Sequence, residues 1–168
     1  MNPVTAIYNE ISDKLQTVDR LQTVNGVLRV RWWNQQAATR QEGASINIPY
    51  PCAFIEFANI DFIDRLQHAS SGEATVTIHY IDKLVLDQFS LPEKMLDLAQ
   101  AGFIALNGVR AQAFSSIKRI NEQIDHSADQ IHHYTQDYII EFLDTEGDIR
   151  SKLIESTITG IEIEKEII

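Results

Sequence analysis

The sequence lacks most of the features that identify a function directly. It contains one cysteine, Cys52, among 168 residues, which excludes an internal disulfide bond and a zinc site built from several cysteines. Cys52 lies in the apolar stretch "PYPCAFIEF", where a buried structural thiol is a better interpretation than a nucleophile. No G-x-S-x-G, P-loop, G-x-G-x-x-G or H-E-x-x-H motif is present. We therefore expect no catalytic residue, no cofactor and no resident metal.

Basic residues are scarce as well. The chain has 14 Lys and Arg against 24 Asp and Glu, which gives a net charge of −10. Such a surface repels phosphate groups, so we expect neither specific nucleic-acid binding nor docking on anionic membranes. No apolar run approaches the roughly 20 residues of a membrane span, and residues 1–10 have no pattern of a signal peptide. The sequence predicts a protein that folds in a cytoplasm.

Length and composition predict one main domain. An apolar content of 44% is that of an ordinary globular protein with a real core. We expect a single domain over residues 1–146 and a C-terminal extension or arm over residues 147–168. In this arm Ile161 and Ile163 alternate with acidic residues. That alternation favours an added strand, either in the protein's own sheet or in a neighbour's.

Two segments have the periodicity of amphipathic helices. The first starts at Asn2, which can cap a helix, and is predicted to run to about Gln22. The second starts at a capping box formed by Ser90 and Glu93, and "NG" at 107–108 is a typical C-terminal stop.

Five other segments favour β-strands because polar and apolar residues alternate or because β-prone residues dominate. They are residues 27–36, Cys52–Ile60, 73–82, 114–124 and 131–142. Polar stretches at 36–48 and 63–73 are interpreted as long exposed loops. The element order is therefore α-β-β-β-α-β-β. Because successive strands lack helical crossovers, we predict an α+β fold, with a mainly antiparallel sheet and two helices packed on one face.

Alternation also predicts which side chains face the core. Leu28, Val30 and Trp32 are the expected core face of the first strand, and the opposite face carries Arg29, Arg31 and Trp33. In the third strand the expected inward residues are Ala74, Val76, Ile78 and Tyr80. His79 is expected to lie on the solvent side.

Histidines and aspartates are concentrated in the stretch "DHSADQIHHYTQDYIIEF" at 125–142. On a helix, Asp129, His132 and His133 would share a face and could bind one cation. On a strand, His132 and His133 point to opposite faces. Period two fits residues 131–142 better, so we predict a strand. A turn site formed by Asp125, His126 and Asp129 with one of the paired histidines remains the alternative, as in a small metal-dependent enzyme or ligand-binding domain.

Three stretches resemble a known group of proteins. "IPYPCAFIEF" after a polar loop, "EATVTIHYI" as the next strand and the late "RINEQIDHSADQIHHYTQDYIIEF" are similar to tail-completion, or tail-terminator, proteins of tailed phages and prophages, in a version of Bacteroidetes-type prophages. The similarity covers about residues 5–145 and depends on element order and these stretches. It involves no catalytic motif.

This resemblance implies a structural virion protein of the tail or neck. Its expected partners are further copies of itself in a ring, typically a hexamer, the tail tube protein and the head-side connector. Another neck component, such as a head–tail connector adaptor, is an alternative of the same class. Trp and Arg are favoured at interfaces. The interface residues that we predict are Arg29, Arg31, Trp33, Arg40, Glu42, Ile161 and Ile163.

Overall fold

The computed structural model describes residues 2–33, 49–65, 69–83, 91–111, 114–125 and 131–144. The helices and strands in these ranges follow one another in this order: α1 (Pro3–Gln16), a 3-10 helix (Asp19–Leu21), β1 (Val30–Trp32), β2 (Cys52–Arg65), β3 (Ala69–Lys83), α2 (Leu91–Leu106), β4 (Lys118–Asp125) and β5 (Ile131–Asp144). The predicted order of helices and strands is confirmed. The predicted arm, residues 147–168, lies outside the described residues.

The five strands form one sheet in the order β1-β2-β3-β5-β4. The β2–β3, β3–β5 and β5–β4 pairs are antiparallel, so the predicted α+β class is confirmed. The first pair is the exception in this mainly antiparallel sheet, because β1 runs parallel to β2, with Val30 opposite Ala53. A parallel pair needs a long connection. Residues 33–51, which separate these two strands in the sequence, are long enough to provide it.

Both helices pack on one face of the sheet and bury the main core there. The sheet contributes alternate residues of its central strands, and each helix contributes one apolar stripe. The fully buried helical residues include Ile7, Ile11, Leu15, Leu98 and Leu106. The expected inward set Ala74, Val76, Ile78 and Tyr80 is completely buried, which confirms the predicted orientation of β3. We call the opposite side of the sheet the outer face.

The first helix is shorter than predicted. Its start is confirmed, since the Asn2 Oδ1 atom accepts a hydrogen bond of 2.9 Å from the Val4 N–H group. The helix ends at Gln16 instead of Gln22. At the end, the Thr17 hydroxyl donates to the Lys14 carbonyl at 2.7 Å, so a side chain satisfies one of the last carbonyl groups.

The first strand is also shorter than predicted, and its core face is only partly correct. Val30 is buried, but Leu28 lies before the strand and is 48% exposed. Trp32 does lie on the helix side, where its ring contacts Tyr8 and Phe57 at centroid distances of 5.3 and 5.2 Å. It remains 45% exposed because β1 is the edge of the sheet.

The predicted loop at 63–73 is wrong. The second strand continues to Arg65 and the third begins at Ala69, so this region belongs to a long hairpin. Its polar sequence "ASSG" suggested a loop, but Gly72 is required by packing. A Cβ atom there would collide with the Phe142 ring and the Asp61 carbonyl oxygen. The other predicted loop, 36–48, lies outside the described residues.

The second half of the chain follows the prediction closely. Helix α2 ends where expected, and Gly108 adopts a positive φ of 74° just beyond it. Ser90, the predicted cap, lies outside the described residues. Strands β4 and β5 pair as the predicted hairpin. In the described part of the chain, no helix has the length and apolar character needed to cross a membrane.

Candidate functional site: a histidine pair on the outer face

Three ionisable side chains from adjacent strands meet on the outer face of the sheet. They are Glu56 on β2, His79 on β3 and His133 on β5. Strand pairing brings them together, because Glu56 lies opposite Thr77 and His79 lies opposite Thr135. Each partner of His79 is therefore a diagonal neighbour two positions away, a distance that long side chains can span. We call these three residues with Trp33 the outer-face cluster.

His79 makes hydrogen bonds through both of its ring nitrogens. Its Nε2 atom lies 2.7 Å from Glu56 Oε2, and its Nδ1 atom lies 2.9 Å from His133 Nε2. The result is a continuous chain from a carboxylate through one imidazole to another. The Glu56 side chain is 38% exposed, whereas that of His79 is 9% exposed. The central imidazole is thus buried between two partners that reach the surface.

Trp33 covers His79. The two rings are stacked, with centroids 4.1 Å apart and planes 7° from parallel. Trp33 also contacts Phe54 edge-on, and Phe54 belongs with Cys52 and Ile81 to a second, small apolar cluster on this face. These contacts correct the prediction for His79, which is on the outer face as expected but is only 7% exposed.

Burial is the main influence on the charge of His79. It lowers the pKa of the His79 imidazole below its ordinary value of 6.5, and the nearby His133 lowers it further. The hydrogen bond and negative charge of Glu56 oppose this shift, as does the charge of Asp137. The net direction is downward, so the folded protein favours the neutral form of His79.

Asp137 has hydrogen-bond partners of its own beside the outer-face cluster. Its Oδ1 atom accepts a hydrogen bond from the Thr77 hydroxyl at 2.7 Å, and its Oδ2 atom accepts one from Asn121 Nδ2 at 3.0 Å. Side chains of three neighbouring strands are tied together by these bonds. Asp137 therefore acts on His79 as a fixed negative charge.

The predicted divergence of the paired histidines is confirmed. Residues 131–144 form a strand, and His133 reaches His79 on the outer face while His132 belongs to the alternate set. Within the described residues, no three His, Cys, Asp or Glu side chains could hold a metal ion together. The alternative turn site is not covered by the described residues, which include neither His126 and Asp129 nor the side chain of Asp125.

Of the predicted interface residues, the structure describes three. Arg29 makes hydrogen bonds within its own chain: its Nη1 atom donates to the Arg20 carbonyl at 2.9 Å and to the Pro51 carbonyl at 3.4 Å. Arg31 lies opposite Phe54 in the β1–β2 pair and therefore shares the outer face with Trp33. The remaining four, Arg40, Glu42, Ile161 and Ile163, lie outside the described residues.

A row of carboxylates crosses the same face further along the sheet. Asp61 lies directly opposite Glu73, and Glu73 lies directly opposite Glu141. All three residues are exposed. Like charges in directly opposed positions destabilise a sheet. The row makes the outer face acidic, in line with the net charge of −10.

The sequence did not reveal that His79 and His133 are paired. Alternation alone places both residues on one face, but they are 54 positions apart in the chain. Only the insertion of β5 beside β3 brings them together. Comparisons of the sequence with models of protein families and with curated proteins gave no match.

Proposed function

We propose that the chain is a structural subunit of a phage or prophage tail, a terminator that caps the tail tube and joins it to the head-side connector as a ring. The three stretches that resemble tail-completion proteins suggest this role. An α+β domain with both helices on one face of a mainly antiparallel sheet is compatible with it. In this proposal the protein is not an enzyme, and it resides in the virion neck after assembly in the bacterial cytoplasm.

The observation that carries the proposal is the edge strand β4. It stands last in the sheet, and β5 is its partner among the described strands. Two large apolar residues on it are exposed, Ile120 by 56% and Ile124 by 49%. Bulges and charges usually protect such an edge. Strand β4 has both, a bulge between Arg119 and Asn121 and four charged residues, but its two isoleucines remain exposed. An edge with exposed isoleucines fits a strand or surface of another copy.

Ring formation needs two different surfaces on each subunit, because a head-to-tail contact joins one patch to another. The sheet offers two such surfaces at its opposite edges. Next to the β1 edge, Trp32 and Leu28 are 45% and 48% exposed. In the proposed ring, the β4 edge of one copy contacts the β1 side of the next.

The acidic outer face suits the lumen of such a ring. DNA passing through a neck must not bind to its wall, and a row of carboxylates repels phosphates. Asp61, Glu73 and Glu141 would supply that repulsion on each copy. Three opposed carboxylates lower the stability of the sheet, and in this proposal they are kept because they repel DNA.

Oligomer mass provides the first test. We expect the wild-type protein at high concentration, or on tail tubes, to form closed rings in light scattering and electron microscopy. The double variant Ile120→Lys, Ile124→Lys should remain monomeric, because two charges would enter the contact. Ile104→Lys is the matched control, since Ile104 is 66% exposed on α2 and away from the edge. A wild-type protein that stays monomeric in both settings would contradict ring formation.

Ring formation alone does not distinguish a terminator from another neck component. Deleting the gene from the prophage that encodes it should yield headless tails of uncontrolled length after induction. Tails of normal length without heads would instead indicate a connector adaptor. Normal, infectious particles would overturn both assignments.

A further inference from the structure

The two imidazoles of the outer-face cluster lie edge to edge. Their nearest nitrogens are 2.9 Å apart, their centroids are 5.1 Å apart, and their planes differ by 20°. In a face-to-face stack the nearest nitrogens would be about as far apart as the ring centroids. Here the distance between the nitrogens is much shorter than the distance between the centroids, so the rings do not stack face to face. The contact is an N–H···N hydrogen bond, which requires one hydrogen between the two nitrogens.

Glu56 determines which nitrogen carries that hydrogen. An ionised carboxylate can only accept, so His79 Nε2 must donate to Glu56 across their 2.7 Å contact. A neutral His79 then has a lone pair on Nδ1. His133 Nε2 therefore donates to His79 Nδ1 when both rings are neutral.

The contact tolerates one additional proton but not two. After one proton has been added, one ring is charged and the other still offers a lone pair, so the hydrogen bond remains. After a second proton, His79 Nδ1 and His133 Nε2 both carry hydrogens and both rings are positive. Two donors with like charges repel each other at 2.9 Å.

We propose that Glu56, His79 and His133 form a proton-sensitive latch across β2, β3 and β5, in which the second proton on the histidine pair releases His133 from His79. His133 is the moving member because it is partly exposed, whereas His79 is buried. A charged His79 stays in place, held by the Glu56 carboxylate and by the face of the Trp33 ring.

The described groups around His79 set the pH range of release. From β2 it faces Glu56, from β5 it faces His133 and Asp137, and the residue after β1 is the neutral Trp33. Burial and His133 together outweigh the two carboxylates and lower the pKa of His79. His79 therefore takes up its proton only below about pH 6.5, the ordinary midpoint of histidine.

Nuclear magnetic resonance of the full-length protein with ¹⁵N-labelled histidine tests the latch. At pH 8 we expect His79 as the Nε2–H tautomer and contacts between the ring hydrogens of His79 and His133. On acidification the two residues should titrate as a coupled pair in two steps. Below the second step, the contacts between the two histidine rings should vanish while those between His79 and Trp33 persist.

Variants that change one member of the latch sharpen the test. His133→Gln keeps a hydrogen-bonding group without the charge, so His79 should titrate in one step with its midpoint raised. Glu56→Gln should lower that midpoint and reduce the population of the Nε2–H tautomer. His132→Gln, the adjacent residue on the alternate face, should leave the two-step titration unchanged.

Three results would overturn the proposal. The first is independent titration of His79 and His133, with the midpoint of His79 unchanged in His133→Gln. The second is persistence of the contacts between the two rings after both are charged. The third is loss of native circular dichroism before the second proton binds, because the latch must open within the folded protein.

Discussion

The side chain of Tyr80 occupies the space that a Cβ atom on Gly102 would need. Tyr80 projects from the central strand β3 and is completely buried, and Gly102 lies on α2 directly above it. A Cβ atom built on Gly102 would lie 2.7 Å from the Tyr80 Cζ atom and closer still to its hydroxyl oxygen. The glycine therefore sets how closely α2 approaches the sheet.

Gly102→Ala should destabilise the protein although alanine favours helices. The gain in helix propensity is about 1 kcal/mol. Overpacking against a buried ring costs about 1–3 kcal/mol, and the separation here leaves little room for adjustment. We expect a net loss of unfolding free energy in urea titrations. In a Tyr80→Phe background, which removes the hydroxyl oxygen, the same substitution should cost less. Equal costs in both backgrounds would contradict the contact.

The unfolding free energy should decrease as the pH decreases, because the unfolded chain protonates His79 more readily than the folded protein does. The folded pKa of His79 is lowered by burial, so the unfolded chain binds the proton more tightly. The contribution of neutral His79 is complete above about pH 6.5 and is lost as the pH falls through the lowered folded pKa. His79→Gln should therefore lose less unfolding free energy than wild type between pH 7.5 and pH 5. His132→Gln should follow the wild type. Equal losses in all three proteins would show that His79 is not involved.

Neutralising the centre of the carboxylate row should stabilise the free subunit. Glu73 lies directly between Asp61 and Glu141, so Glu73→Gln removes two unfavourable pairings. We expect a gain of about 0.2–1 kcal/mol in unfolding free energy, smaller in high salt.

A charge change elsewhere supplies the control for Glu73→Gln. Glu10→Gln removes the same charge from α1, where Glu10 pairs with Lys14 at 3.7 Å. That control should lose about 0.2–0.5 kcal/mol instead. If both substitutions shift stability in the same direction, net charge and not the row determines the effect.

The thiol of Cys52 should be inert in the folded protein. It is 1% exposed, and burial is the main cause that raises its pKa to about 12. Because the thiolate is the reactive form, a disulfide reagent such as dithionitrobenzoate should not react with native protein at pH 8. The same reagent should react fully in guanidinium chloride. Gln22→Cys adds an exposed thiol as a positive control. Rapid reaction of the native wild type would contradict the burial.

Local patterns in the sequence predicted those parts of the fold that depend on neighbouring residues. Alternation placed Ala74, Val76, Ile78 and Tyr80 on the buried face, and all four are there. It also identified residues 131–142 as a strand, which separated His132 from His133. Such patterns succeed because a strand with one buried face imposes period two on its own residues.

Features that depend on distant residues could not be predicted. The parallel β1–β2 pair and the insertion of β5 between β3 and β4 are decided by packing between segments far apart in the chain. The hydrogen bond between His79 and His133 follows from that insertion. The polar run before Gly72 has the composition of a loop, but the neighbouring strands hold it in a hairpin. Tertiary context overrode local preference in that case.

The position of β3 has a consequence for synthesis on the ribosome. One edge of β3 pairs with β2, which precedes it directly in the chain. The other edge pairs with β5, with Ala74 opposite Ile140, and β5 is synthesised last of the five strands. Helix α2 and strand β4 are translated in the interval. At roughly 5–20 residues per second this delay is on the order of seconds, during which the nascent hairpin has an uncovered edge. The newly made chain is thus most prone to aggregation, and most in need of a chaperone, before residue 144 emerges.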